Sequence, residues 1–253
     1  MKYNKLLIIS LFTVVLVFLI LYISASKKIP IVTIGYNNLF FMRNFINQLK
    51  HFDNPIIILD NKSTFEPMFE YYDEIKKELG SRIEIRYLNE NYGSNVTVQL
   101  KHTLPKVYIL SDCDLKLNTR MPKNFSDILL SLSNKYSAFK VGLALNISDK
   151  DQFLECKNYT DGKSIYEWEK KYWNKPINDS NYELYSALID TTFTLVNYNY
   201  EAGEHIRIAG DFTAKHLPWY KNYIKEHISP RELKFWKEGN NSSSILVSCI
   251  TDL

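Results

Sequence analysis

The chain has 253 residues, 45% of them hydrophobic and 23% charged, with 31 Lys+Arg against 28 Asp+Glu. That is enough for one sizeable domain with its own core, and it excludes a disordered or collagen-like chain. A formal charge of +3 spread without a basic block leaves no electrostatic footprint for nucleic acid, and three cysteines cannot build a disulfide framework.

A mean hydropathy of −0.24 hides one outlier. Leu6 to Ile23 carries no charge and lies between Lys2 and Lys5 on one side and Lys27 and Lys28 on the other. It exceeds the roughly 7–15 residues of a secretory h-region and fits the roughly 17–25 of a spanning helix. The expectation is one N-terminal transmembrane signal-anchor (residues 1–28), with cleavage at Ser24-Ala25-Ser26 as the alternative. Flanking charge barely decides orientation. The expected topology is single-pass type II, with the body (residues 29–253) in the lumen of an ER/Golgi-like or host-derived membrane system. Sequons at Asn61, Asn95, Asn124, Asn146, Asn158, Asn178, Asn240 and Asn241 are compatible with that.

Past Lys28, short β-branched runs alternate with helical periodicity, the pattern of an α/β domain. Ile31 to Ile34 predicts a strand, and Leu39, Met42, Ile46 and Leu49 recur at helical spacing. Pro55 to Asp60 is an apolar strand expected to be buried on both faces of a parallel sheet. Ser63 and Glu66 have capping-box spacing before a stripe of Met68, Phe69, Tyr72, Ile75 and Leu79. Ile83 to Leu88 and Val107 to Leu110 predict the third and fourth strands, the last running into Ser111-Asp112-Cys113-Asp114. Further on, Asn124 to Leu132 reads as a helix, Phe139 to Ile147 as a strand and Ile165 to Trp173 as an aromatic-rich helix. Leu188 to Val196 reads as a strand carrying a lone acid, followed by Ile206 to Trp219. No repeat and no convincing linker divides the body, so one domain of two lobes is expected.

The β-α-β-α-β order predicts a parallel sheet with right-handed crossovers, and ligands of such sheets sit at the carboxyl ends of the strands. Polar exits at Asn37-Asn38, Asp60-Asn61, Asn91-Gly93 and Asp112-Asp114 all fall there, which describes a nucleotide-sized site. Two carboxylates two residues apart at a strand end can face one hard divalent cation, Mn²⁺ or Mg²⁺, that bridges to a diphosphate and offsets charge on a leaving nucleoside diphosphate.

The pieces IVTIGYNN, IIILDNKST, YLNENYGS and YILSDCDL resemble the donor half of nucleotide-sugar glycosyltransferases of the GT-A fold with a DxD motif. KVGLALNISD, LIDTTFTLV and IAGDFTAKHLPWY resemble the acceptor half of bacterial and large-virus enzymes of the family-2-like type. The resemblance implies a Rossmann-like, mostly parallel central sheet flanked by helices, with residues 29–115 as donor half and 116–253 as acceptor half. It implies that Asp60, Asn61 and Ser63 shape the base and ribose site, that Asp112 lies near ribose and metal, and that Asp114 and His216 bind the metal. Thr33, Tyr36, Asn91 and Gly93 are further candidate donor contacts. An imidazole in the set favours Mn²⁺.

The function so implied is metal-dependent transfer of a sugar from a nucleotide-diphospho-sugar to a hydroxyl of a glycan, glycoprotein or glycolipid, with inversion. Inversion needs a carboxylate base. Asp190 is the first candidate, because an acid inside an apolar strand is seldom structural; Asp211 is second and Glu204 third. Arg207 and Lys215 read as solvated charges before diphosphate contacts. Trp168, Tyr172 and Trp173 read as packing before sugar stacking. Cys113 is a filler within the motif, and Cys156 with Cys249 is either a pair or two free thiols. The alternatives are a membrane-anchored, non-catalytic sugar-nucleotide or glycan-binding protein and a nucleotidyltransferase. For the last, GYNNLFFMR lacks the expected Gly-rich, basic phosphate loop. Oligomeric state is not legible.

Overall fold

The computed structural model describes residues 28–239 and 243–250. Leu6–Ile23 lies outside them; among the described residues no helix is long and apolar enough to cross a membrane. The expected elements of the first half form in order: β1 (Ile31–Gly35), α1 (Leu39–Leu49), β2 (Ile56–Asp60), α2 (Glu66–Leu79), β3 (Ile83–Tyr87), the short α3 (Val96–Gln99) and β4 (Val107–Asp112). β4 runs past its expected end at Leu110 and takes in Asp112, because Ile34 of β1 pairs with Asp112.

Every residue of β2 is buried. Its alternating side chains divide between two cores: Ile56 and Ile58 join the larger one with Phe41, Phe45 and Tyr72, while Ile57 and Leu59 join a smaller one with Val32, Tyr108 and Leu110. Burying each such aliphatic side chain contributes roughly 1.5–3 kcal/mol, so an apolar run without alternation is stable here only as an inner strand.

The second half follows expectation only in part. It contains β5 (Leu115–Leu117), α4 (Phe125–Tyr136), β6 (Lys140–Leu145), α5 (Ile165–Lys170), β7 (Pro176–Ile177), β8 (Leu184–Ser186), β9 (Thr194–Asn197) and β10 (His205–His216). It ends in α6 (Tyr223–His227), α7 (Pro230–Lys237) and α8 (Ser244–Ser248). The strand expected over Leu188–Val196 exists only as β9; the stretch before it is an irregular bend in which Asp190 is exposed between buried Ile189 and Thr191. The predicted helix over Ile165–Trp173 keeps a capping box at Ser164 and Glu167 but tightens to a 3-10 turn from Lys171.

One ten-stranded sheet carries both halves in the order β3-β2-β1-β4-β9-β6-β10-β8-β7, with β5 paired to β10. β1 to β4 are mutually parallel, as expected. β9 is antiparallel to both β4 and β6. It crosses β6 at Gly142, where a Cβ would stand 2.6 Å from that of Thr194 and 2.9 Å from the Phe193 carbonyl, so the crossing requires glycine. β10 bulges between Ile208 and Thr213, pairing β6 on both sides of the bulge and β5 beyond it. Cys156 and Cys249 form a disulfide, Cα–Cα 5.3 Å, so the paired reading holds.

Candidate active site

The carboxyl ends of β1, β2, β3 and β4 open on a polar cleft of about 230 Å³ lined by Tyr36, Asn61, Asn91, Gly93, Asp112, Asp114, Asp190 and His216. Those eight were expected from sequence. Alternation along β4 and its exit turns Cys113 into the core, 2% exposed, and leaves Asp112 and Asp114 at the cleft. Register brings the distal histidine to them. Leu115 of β5 pairs with His216 of β10, and the Leu217 N–H donates to the Asp114 carbonyl at 2.9 Å. His216 Nε2 then stands 3.4 Å from Asp114 Oδ2, with Trp219 4.9 Å from the imidazole, centroid to centroid.

Asp112 is turned toward a different neighbour. Its Oδ2 accepts from the Thr191 hydroxyl at 2.6 Å, and its N–H donates to the Thr191 carbonyl at 3.0 Å. Burial, followed by repulsion from Asp114, raises its carboxyl above the ordinary range, against the pull of the Thr191 hydrogen bond and His216. Burial alone would lower His216, but Asp114, Asp112 and Glu169 outweigh it and the imidazole is held above its usual value.

Among the described residues, no three acid, histidine or cysteine side chains gather closely enough to form a complete metal cage. Asp114 and His216 meet as a pair with Asp112 alongside, so the expected three-residue set is only partly assembled by the protein. Yet Asp114 Oδ1 and His216 Nδ1 are both buried without a hydrogen-bond partner. Orphaned polar atoms on adjacent acid and imidazole groups fit a divalent cation that completes its sphere with donor oxygens.

Five expected site residues do not line the cleft. Thr33 is fully buried within β1. Asp60 is consumed by its own turn: Oδ1 accepts from the Ser63 N–H at 2.8 Å and Oδ2 from the Tyr72 hydroxyl at 2.8 Å. Ser63 does not cap α2, whose N-cap is Phe65; its hydroxyl oxygen accepts from the Asn37 N–H at 3.0 Å. Asp211 sits exposed on the β10 bulge, paired with Arg120 at 3.0 Å. Glu204 is exposed as well and accepts from the Ser186 hydroxyl. Asp190 does reach the cleft, for a reason other than the expected one: an irregular bend presents it, not an apolar strand.

Of the two charges read as solvated, Arg207 is interior and Lys215 is half-exposed. Arg207, 4% exposed, is ion-paired with Glu169 and lies 4.0 Å over the Tyr172 ring. Lys215 pairs with Asp149. Tyr172 and Trp173 pack, the latter 5.2 Å from Tyr185, so packing is what these aromatics do.

Sequence reasoning placed Asn37 at a strand exit without its capping contact, and it missed the tie of Thr191 to Asp112 and the C-terminal segment. Asn37 Oδ1 accepts from the Thr64 and Phe65 N–H groups at 2.7 and 2.9 Å and so caps α2 from another loop. Glu232 of α7 does the same for α1, accepting from the Phe40 N–H at 2.7 Å. α7 had a legible signal in Ser229-Pro230-Arg231-Glu232, whose Ser229 hydroxyl accepts from the Glu232 N–H. Trp236 of α7 and Ile245 of α8 line the cleft, while Asn37 Nδ2 and Asn91 Nδ2 donate to the carbonyls of Phe235 and Gly239.

No family model and no curated protein matches the sequence. Solved structures do. The mannosyltransferase PcManGT from Pyrobaculum calidifontis, in complex with GDP-Man and Mn²⁺, is 12% identical with a TM-score of 0.37, over 47% of this chain and 36% of that one. TarS of S. aureus is 14% identical with a TM-score of 0.36, over 47% of this chain and 22% of that one. GalNAc-T7 with UDP, GalNAc and Mn²⁺ is 10% identical with a TM-score of 0.52, over 83% of this chain and 47% of that one. The chain therefore spans less than half the length of each of these structures. Over most of its length it has the mixed α/β fold of GalNAc-T7, that of GT-A glycosyltransferases.

Proposed function

We propose that this chain is a metal-dependent glycosyltransferase that moves a sugar from a nucleotide-diphospho-sugar to a hydroxyl of a glycan, glycoprotein or glycolipid, with inversion. The observation that carries the reading is the pairing of Asp114 with His216 beside Asp112, in a cleft formed by the strand exits. Asp112, Asp114 and His216 would hold Mn²⁺ or Mg²⁺, and the imidazole favours manganese. The bound cation supplies Lewis-acid stabilisation of the departing nucleoside diphosphate. GalNAc-T7, which shares the fold, was solved with UDP and Mn²⁺.

The chain's own residues take the remaining roles. Asn61, Asn91 and Gly93 wall the nucleoside side of the cleft. Asp190, across from them, takes the proton of the acceptor hydroxyl. As that oxygen attacks the anomeric carbon, the bond from the anomeric carbon to the diphosphate breaks. Asp60 supports this site by shaping its turn. An oxidising compartment and a type II anchor are also part of the proposal, supported by the Cys156–Cys249 disulfide and the apolar run Leu6–Ile23.

Asp114→Ala tests the reading. Mn²⁺-dependent release of nucleoside diphosphate from a panel of UDP- and GDP-sugars should fall by on the order of 10³-fold, several kcal/mol of transition-state stabilisation. The melting transition should remain. Undiminished release would sink the proposal. A nucleotide-sugar thermal shift in the unsubstituted chain without any turnover would point instead to a binding protein.

A further inference from the structure

The bend that carries Asp190 has no regular secondary structure, yet its main chain is gripped from beneath at each step. Arg207 Nε of β10 donates to the Leu188 carbonyl at 3.0 Å. His205 Nδ1, also of β10, accepts the Ile189 N–H at 3.0 Å. Lys140 Nζ of β6 donates to the carbonyls of Ile189 at 3.0 Å and Asp190 at 2.8 Å. Thr191 is tied on its other side to Asp112. Leu188 is 69% exposed and Asp190 is exposed, while Ile189 between them is buried, so packing anchors Ile189 and the main-chain contacts restrain Asp190.

Lys140 is the unusual member of this set. Its ammonium is half-buried, and burial lowers its pKa against the attraction of Asp190 and Asp112. Desolvating an ammonium is costly unless its protons are used. Here they are used on two successive main-chain carbonyls, a contact that restrains the backbone of the bend and little else. The same position sets a positive charge beneath two acids that face one cleft.

We propose that Lys140 is a positioning residue for Asp190: by gripping the Ile189 and Asp190 carbonyls it holds the Asp190 carboxylate in the cleft beside Asp112. The inference rests on the transferase reading, in which Asp190 accepts the acceptor proton. A base displaced by about 1 Å loses on the order of 10²-fold in rate, so a grip on its main chain has a kinetic consequence.

The test uses the full chain with Lys140→Met, Asp190→Asn and the double variant, each checked by thermal melting. Three quantities are read: Mn²⁺-dependent nucleoside diphosphate release from UDP- and GDP-sugars with water as acceptor, affinity for Mn²⁺ with UDP or GDP, and amide hydrogen exchange over residues 187–193. Lys140→Met should lower kcat by about 10- to 100-fold, leave donor KM and nucleotide affinity within about twofold, and speed exchange in the bend. Lys140→Arg, which keeps the charge, should recover part of the loss. In the double variant Lys140→Met should cost nothing beyond Asp190→Asn, because the two act as a unit.

Unchanged exchange in the bend overturns the proposal whatever the activity. So does a double variant slower than Asp190→Asn by the full Lys140→Met factor, or nucleotide affinity falling in step with kcat. Should Lys140→Met not fold, Lys140→Gln gives the same readings. Asp190→Asn at full rate removes Asp190 as base and is seen in that variant alone. Absence of release by the unsubstituted chain defeats the transferase reading, while exchange still decides the grip.

Discussion

In β1 to β4 each strand pairs in parallel with another of the set, and each exit delivers at least one polar residue to the cleft. In β5 to β10 the sheet is mixed, β9 is inserted antiparallel between β4 and β6, and the site residues are held by side chains from distant strands. The β1–β4 half is thus organised by backbone pairing and apolar periodicity. The β5–β10 half is organised by buried polar contacts: Arg207 with Glu169, Lys140 and His205 with the Asp190 bend, and Thr191 with Asp112. Backbone pairing tolerates change in exposed side chains, whereas a polar clamp depends on single atoms.

The largest effect that would sharpen this contrast is in the buried ion pair. Arg207→Met leaves Glu169, 2% exposed, without its cation and also frees the Leu188 carbonyl. Stability should fall by about 3–5 kcal/mol in urea denaturation, with nucleotide affinity of the folded fraction preserved. A loss below about 1 kcal/mol would break the view that polar clamps hold the β5–β10 half.

A smaller effect is expected in the β1–β4 half, where the exception to local organisation is the remote cap. Asn37→Gly keeps the left-handed backbone, φ 50° in the native chain, but removes the acceptor for the Thr64 and Phe65 N–H groups. It should cost about 1–2 kcal/mol and speed exchange at the start of α2. Exchange unchanged at Thr64 and Phe65 would mean that α2 needs no remote cap.

The smallest effect is a pH dependence. Burial, then Lys140 and Arg207, lowers the His205 pKa, and Nδ1 must stay unprotonated to accept the Ile189 N–H. A lowered folded pKa means that the unfolded chain binds the proton more readily. The His205 contribution is therefore intact above the unfolded value of about 6.5 and is lost as pH falls through and below it. Asp112 and His216, whose pKa values are raised, act in the opposite direction, so between about pH 7 and 5 the native chain should lose melting temperature relative to His205→Gln. Equal slopes in the two proteins would remove His205 as the cause.

Local order and chemistry settled much of this protein from the residues alone. The apolar runs Ile31–Ile34 and Pro55–Asp60 are inner strands because nothing else buries an unbroken β-branched run, and Asp112-Cys113-Asp114 alternates because strand side chains alternate. The polar strand exits therefore converged as expected. Only the tertiary structure decided which polar residues are free to act. Asp60 and Ser63 stand at an exit but satisfy their own turn, while Arg207 is interior because Glu169 meets it there. His216 reaches Asp114 through the pairing of β5 with β10, and Asp190 reaches the cleft because β6 and β10 grip its main chain. These contacts join residues far apart in the chain and depend on strand register and hydrogen-bond geometry, which leave no periodic signal in a sequence.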